Sequence, residues 1–247
     1  MIIIEDLRYN PDGKLYIRKS MLETFKFCPM KFRKEYIERQ QNGQNTYIMD
    51  IGTRFHEFAE WFFDIYQGID VEQWPELVPN KFTPTEQEWA SWFIQEETTR
   101  YHKDPDLFMP VMREMKIIDD ELCLSGTFDR LDRLNDRDEL AIVEYKTGRS
   151  FNIESISRQL AFYKLLWDNN IKKGTITHMC YVNPRLQLYK LIPLKPSVTD
   201  KLLFDIASMR RCLREDTFKM SCSPVKYIMC HMCDMDECGV YNYDERL

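Results

Sequence analysis

Two strand-forming runs on either side of a short polar turn constrain this chain more than any other feature. Leu122–Leu134 and Glu139–Lys146 flank Asn135-Asp136-Arg137-Asp138, a turn composition that folds strands back into an antiparallel hairpin. With the turn centred on Asp136–Arg137, residues whose numbers sum to 273 face one another. Asp129 then stands opposite Glu144, and Thr127 opposite Lys146. Opposed residues share a face, and so do Glu144 and Lys146, two apart on one strand. Two carboxylates and a lysine are thereby drawn to one spot. Close carboxylates repel unless a cation neutralises them, and hard oxygen donors suit Mg²⁺ or Mn²⁺. A neighbouring lysine can orient a water or stabilise negative charge growing on a phosphate. The alternative is a solvated ladder of alternating charge, which Asp132 and Glu139 would also fit.

The rest of the chain reads as helices first, then a sheet. Ser20-Met21-Leu22-Glu23 has the form of a capping box, so a helix is expected from Met21. Pro29 predicts a break near Phe27–Cys28 and a second helix from Pro29 to about Arg39. Gly52 to Tyr66 carries Phe55, Phe58, Ala59, Phe62, Phe63 and Tyr66 on one broad stripe, with His56 at its margin. An imidazole there reaches into a site, or is simply a satisfied or exposed histidine. Thr83-Pro84-Thr85-Glu86 opens a further helix through about Tyr101. Strands are expected at Val111–Ile118, in the hairpin with a kink at Gly126, at Thr175–Val182 and at Gln187–Leu191. Helices are expected at Ile153–Asp168 and from Val198 to about Arg214. Gln159 and Tyr163, four apart, share one face of the first of these. The order is that of an α/β fold, a helical N-terminal lobe on a small mixed sheet.

Composition excludes several classes. Hydrophobic residues at 44% of 247 supply a real core, which rules out intrinsic disorder. No apolar run approaches the ~20 residues of a membrane span. The start MIIIEDLRYN lacks the basic flank and apolar stretch of a signal peptide, so a cytoplasmic protein with no membrane partner is expected. A net charge of −6 argues against nucleic acid until it is read by segment. Lys14–Lys34 holds seven bases against one acid, and Tyr145–Lys195 nine against two. Asp50–Glu121 holds seventeen acids against six bases. The flanks are locally basic, and the field at a site follows distribution rather than the sum.

GxxxH (Gly52–His56), GxxD (Gly126–Asp129), ExK (Glu144–Lys146) and QxxxY (Gln159–Tyr163), in that order, resemble the motif series of RecB-like nucleases in the PD-(D/E)XK superfamily. The resemblance spans about Ser20 to Cys238. It implies a restriction-endonuclease-like core, a small mixed sheet flanked by helices, within a single domain over residues 1–247. Residues 1–105 would be the mainly helical lobe, 106–195 the catalytic sheet core, and 196–247 the C-terminal helix and cysteine cluster. It implies that Asp129 and Glu144 ligate a divalent metal, helped by His56 and the main-chain carbonyl of Tyr145. Lys146 would be the catalytic lysine that positions or activates the attacking water. Gln159 and Tyr163 would contact the DNA backbone or support Lys146. Arg54, Thr147 and Arg149 are candidate phosphate contacts, and Glu114 a candidate accessory acid.

Eight cysteines are many for a chain expected to be intracellular. Cys230-His231-Met232-Cys233 and Cys238 bring three thiols together, and thiolates at this spacing chelate zinc or an iron–sulfur cluster. Cys28 is the nearest plausible fourth, at a helix N-terminus beside Lys26 and Lys31, where dipole and charge favour the thiolate. One cysteine before the core and three after it is similar to the 4Fe–4S arrangement of CRISPR-associated RecB-like exonucleases and AddB-type nucleases. The final gap here is four residues, Asp234–Glu237, where five is usual in that arrangement. Structural zinc, with His231 or Cys222 substituting, is the alternative; a disulfide framework is not expected. By this resemblance the cluster staples the C-terminus to the N-terminal helices. Cys123 and Cys180 read as core strand residues, and Cys212 and Cys222 as free.

The expected function is a Mg²⁺- or Mn²⁺-dependent DNA exonuclease acting on single strands, with nucleic-acid-processing proteins as possible partners. The competing reading is a cluster- or zinc-stabilised DNA-binding or assembly subunit with little catalysis of its own.

Overall fold

The structure is a computed structural model describing residues 15–39, 46–171 and 173–218, with side chains from residue 50 in the second segment. Cys222, Cys230, Cys233 and Cys238 lie outside the described residues, and with them the cysteine-cluster expectation. The chain divides into two compact units, Asn45–Ile117 with Gly126–Thr199, and Met1–Gln44 with Ile118–Ser125 and Asp200–Leu247. No helix among the described residues is long and apolar enough to cross a membrane.

The first unit is built on a five-stranded sheet in the order β1-β2-β3-β4-β5. The strands are β1 (Met112–Asp119), β2 (Leu124–Arg133), β3 (Glu139–Tyr145), β4 (Thr175–Asn183) and β5 (Leu188–Pro193). The expected hairpin register is observed: Arg130 pairs with Val143, Leu131 with Ile142, Asp132 with Ala141 and Arg133 with Leu140. Strands β3 and β4 are parallel, joined through a helix, and β5 returns antiparallel on β4. The sheet is therefore mixed, with β3 at its centre.

Three helices cover this sheet. In chain order over the described residues, the helices are α1 (Lys19–Phe27), α2 (Pro29–Phe32), α3 (Thr46–Ile65), α4 (Pro84–Lys103), α5 (Ile153–Asn170) and α6 (Pro196–Glu215). Helices α3 and α4 bury one aromatic layer, including Phe55, Phe62, Phe63, Phe93 and Trp74, which Val143 and Tyr145 of β3 join from below. The expected start of α4 is observed, with Glu86 N–H on Thr83 Oγ1 and Thr83 N–H returned to Glu86 Oε2. A 3-10 turn at Val71–Leu77, for which the sequence gives no periodic signal, packs Trp74 edge-on to Phe62 at 5.3 Å. Phe128 packs on Tyr163 and Trp167 of α5.

A buried charge network ties the layers of this unit. Arg130, with no exposure, donates to Glu97 Oε1 (2.8 Å), Asp132 Oδ2 (2.9 Å), Tyr189 Oη (2.9 Å) and Tyr145 Oη (3.1 Å). Arg100 donates to the other Glu97 oxygen at 2.8 Å. One guanidinium thus joins β2, β3, β5 and α4.

In the second unit, Ile17 forms a parallel bridge with Leu124, and the chain turns into α1 at once. That bridge holds Arg18 extended, so the helix begins at Lys19 rather than Met21, and Ser20 lies inside its first turn. Cys28 is buried and extended (φ −156°) between α1 and α2, as Pro29 demands. Beyond Phe32 the second helix widens into a π-turn at Arg33–Ile37 and stops short of Arg39. Arg33 pairs with Asp216 at 2.9 Å, and Arg210 of α6 donates to the carbonyl of Leu122. Cys123, expected in a strand, instead lies half-buried in the turn before β2 with φ +46°. Helix α3 starts at Thr46, a turn and a half before the expected Gly52.

Burial works against the Glu97 carboxylate, but Arg100 and Arg130 outweigh it and hold its pKa below the usual value. Its contribution to stability is complete above the unfolded glutamate pKa of about 4.3 and is lost as pH falls through the lower folded value. Glu97→Gln leaves two buried guanidinium groups short of an anion and is expected to cost about 3–5 kcal/mol in urea unfolding at neutral pH. Below pH ~4 the gap between variant and parent should narrow; a constant gap would contradict the assignment.

Candidate active site

Asp129 sits where the hairpin departs from a regular ladder. Phe128 faces α5, whereas Arg130, two residues on, reaches Glu97 and Phe63 on the opposite side of the sheet. Residues two apart on a regular strand share a face, so β2 changes face across Asp129. The regular pairing of β2 with β3 begins at Arg130–Val143, and Asp129 Oδ2 accepts the Tyr145 N–H at 2.6 Å. The Asp129 side chain therefore bonds the backbone of β3 where direct opposition to Glu144 was expected. The carbonyl of Thr127, expected opposite Lys146, is taken by the Tyr163 hydroxyl at 2.7 Å.

Around Asp129 the structure gathers the other motif residues. His56 Nδ1 of α3 lies 3.7 Å from Asp129 Oδ1. Glu144 is buried and hydrogen-bonded by the ammonium of Lys146 through Oε1. Its other oxygen, Oε2, is buried with no partner. Gln159 donates toward Glu144 and also to the Tyr163 hydroxyl at 3.3 Å. Both Gln159 and Tyr163 are buried, so they brace the site from α5 and do not face solvent. Thr53, Glu57, Glu60 and Glu114 line the mouth with Gly52, His56 and Thr147, around a cavity of about 530 Å³.

Two motif glycines are explained by close approach. A Cβ on Gly126 would lie 2.9 Å from the Tyr163 ring and 3.1 Å from Leu166. One on Gly52 would lie 3.0 Å from Thr147 Oγ1. Gly126 lets α5 lie on β2, and Gly52 lets α3 meet the segment after Lys146.

The charges respond to one another. Burial lowers the pKa of His56, but the hydrogen bond and charge of Asp129 outweigh it and the net shift is upward. Burial raises the Glu144 pKa, Lys146 opposes and Asp129 adds to the rise. Burial disfavours the Lys146 ammonium, yet Glu144 beside it raises the pKa, so the amine is held charged. Glu114, in β1 with φ +45°, is pushed up to about 7 by burial and by Asp129 and Glu60. Arg54 is not part of this cluster: it pairs with Glu86 at 2.5 Å. Arg149 is exposed on the segment following Lys146.

Residues 19–238 match the PD-(D/E)XK nuclease superfamily. The chain belongs to this superfamily. Among the solved structures it resembles is the crystal structure of a "Putative exonuclease" from Eubacterium rectale, at TM-score 0.52 and 11% identity, covering 90% of this chain and 89% of that one. At that identity the likeness establishes a shared fold, and the mixed sheet flanked by helices is the restriction-endonuclease-like core. No curated protein matches the sequence.

PD-(D/E)XK nucleases use divalent metals such as Mg²⁺. Among the described residues no group of three or more His, Cys, Asp or Glu side chains is arranged to hold a metal ion. Asp129 and Glu144 each commit one oxygen to a protein donor. The donor set nevertheless fits a hard cation, because Glu144 Oε2 is a buried acceptor with no hydrogen-bond donor and Asp129 lies beside it.

Glu97 and Arg130 form a buried pair that no local pattern announces, although Glu97 follows Phe93 by one helical turn on an apolar face. Asn183, at the end of β4, is likewise fully buried. Its signal in the sequence is a polar residue directly after the apolar run Met179–Val182.

The glycine contacts predict an order of tolerance. Gly126→Ala should destabilise by about 1–3 kcal/mol through overpacking against Tyr163, and Gly52→Ala by less, since one hydroxyl can turn away. Gly148→Ala, which meets nothing within 4 Å, should lie within about 0.5 kcal/mol of the parent. Urea midpoints for the three variants check this order.

Proposed function

We propose that the protein is a metal-dependent deoxyribonuclease, an exonuclease acting on single-stranded DNA. The buried, unpartnered Glu144 Oε2, beside Asp129 and a charged Lys146, carries this reading. A retired site has no chemical need to keep Asp129, Glu144 and Lys146 together. Exonuclease action is further supported by the description of the Eubacterium rectale protein that shares the fold.

Glu144, Asp129, His56 and the main-chain carbonyl of Tyr145 would hold a Mg²⁺ or Mn²⁺ ion. When bound, that ion supplies positive charge for the phosphate and for a water. In hydrolysis the water oxygen bonds to phosphorus, the phosphorus–oxygen bond to the leaving sugar breaks, and the leaving oxygen takes up a proton. Lys146, held as an ammonium, orients the water and stabilises negative charge on the phosphate oxygens. Gln159 fixes the Glu144 carboxylate, and Tyr163 fixes β2 through the Thr127 carbonyl. His56 keeps the Asp129 carboxylate turned toward the site.

Lys146→Ala and Asp129→Ala should each lower cleavage of a labelled single strand in Mg²⁺ or Mn²⁺ by about 10²–10³-fold, and chelator should abolish it in the parent. A parent that cuts nothing, or variants that cut as well as the parent, would overturn the enzyme reading.

The second part of the proposal is a 4Fe–4S cluster on Cys28, Cys230, Cys233 and Cys238. Its support within the described residues is Cys28, buried at the α1–α2 bend in the unit that also contains α6. In that unit Phe32 packs near Phe218 at 6.1 Å, twelve residues before Cys230. Anaerobically purified protein should be brown, with broad visible absorption that dithionite bleaches, and Cys28→Ser should lose the colour. A colourless protein carrying one zinc would replace the cluster with the structural zinc site.

A further inference from the structure

The carboxyl ends of the parallel pair β3 and β4 point at the same loops, and such ends are where α/β sheets bind ligands. The loop after β3 carries Lys146 and Arg149, and the turn after β4 carries Arg185. One side chain fixes both. Asn183, fully buried, donates through Nδ2 to the Gly148 carbonyl (3.0 Å) and to the Tyr181 hydroxyl (2.9 Å), and its Oδ1 accepts the Leu186 N–H (3.1 Å). Tyr181 in turn donates to the Ser150 carbonyl at 3.4 Å. With the carbonyls on either side of Arg149 held by buried groups, its side chain is left exposed.

A third cation continues the line. Glu144 pairs with Tyr181 across β3–β4, and Tyr181 with Lys190 across β4–β5, so the three stand in one row. Strands are spaced about 4.8 Å apart, which places Lys190 roughly 10 Å from Glu144. Lys190 is exposed, and its ammonium lies 5.1 Å from the centre of the Phe151 ring, which packs edge-on to Tyr181.

These three cations differ from their neighbours. Arg54, Arg100, Arg113, Arg130, Arg158 and Lys164 each sit on an acid. Among the described residues, no acid pairs with Arg149, Arg185 or Lys190. The opposite rim of the site is acidic, with Glu57, Glu60 and Glu114. A polyanion entering the site is repelled from that rim and drawn to the other.

We propose that Arg149, Arg185 and Lys190 form a phosphate-binding track, organised by Asn183, that seats the backbone of the DNA strand beside Lys146. The track takes the nuclease reading as its premise and specifies where the substrate strand lies. It contacts phosphates and carries no base preference.

The test is the salt dependence of binding by the full-length protein to a fluorescent oligo(dT) strand, in chelator so that nothing is cut. Each phosphate contact on a single strand contributes about 0.7 to the slope of log K against log salt. Arg149→Ala, Arg185→Ala and Lys190→Ala should each reduce the slope by about 0.7, and the triple variant by about 2. Arg149→Lys, Arg185→Lys and Lys190→Arg should keep it, as should Lys81→Ala with Lys103→Ala, which remove exposed lysines elsewhere. A triple variant with the parental slope, a control that loses as much, or a parent that does not bind the strand would overturn the track. The two readings fail separately. A parent that binds through the track but cuts nothing in Mn²⁺ refutes the nuclease and keeps the track. A parent that cuts, with a slope indifferent to these residues, does the reverse.

Discussion

Arg130 carries a full charge with no access to water, and such a group is tolerated only where counter-charges and acceptors surround it. Its partners come from α4, β2, β3 and β5, so each of those elements must arrive in one arrangement for both terminal nitrogens of the guanidinium to find acceptors. The residues next to this hub are the reactive ones. Asp129 adjoins Arg130 in the chain, and Tyr145, whose hydroxyl the hub holds, lies between Glu144 and Lys146. Because β3 alternates, fixing Tyr145 on one face sets Glu144 and Lys146 on the other. The site inherits its rigidity from charges that never meet the substrate.

The hairpin was the legible part of the fold. A short polar turn between two strand runs leaves little freedom of register, and the Arg130–Val143 pairing follows the predicted sum. What pattern could not show was the change of face at Asp129, which depends on Phe128 being claimed by α5 and Arg130 by α4. The start of α1 at Lys19 escapes local pattern for a similar reason: the capping letters at Ser20 are local, but the Ile17–Leu124 bridge before the helix is not. Nothing in the sequence distinguishes the charges of Glu97 and Arg130 from solvated ions, because each has its partner 33 residues away.

The short motifs translate into contacts more than into chemistry. Half of the GxxxH and GxxD signatures is glycine, and each glycine marks a place where two elements approach too closely for a side chain. The Gln and Tyr of QxxxY are buried braces on Glu144 and Thr127. Only Asp129, His56, Glu144 and Lys146 are left to meet solvent, substrate or metal. A fold shared at 11% identity is understandable on that basis, since few positions are constrained by contact and most of the sheet needs only apolar volume.

Sequence separation divides the contacts of this site into a local and a distant set. Asp129 and Tyr145 are 16 residues apart, so the hairpin that holds both acids and the lysine closes a short loop at low entropic cost. Tyr163 reaches Thr127 across 36 residues and Asn183 reaches Gly148 across 35, while Tyr189 meets Glu97 only across 92. Contacts of such range close much longer loops, and each costs correspondingly more chain entropy. The aim of Asp129, Glu144 and Lys146 therefore depends on stretches of chain far outside the hairpin that carries all three.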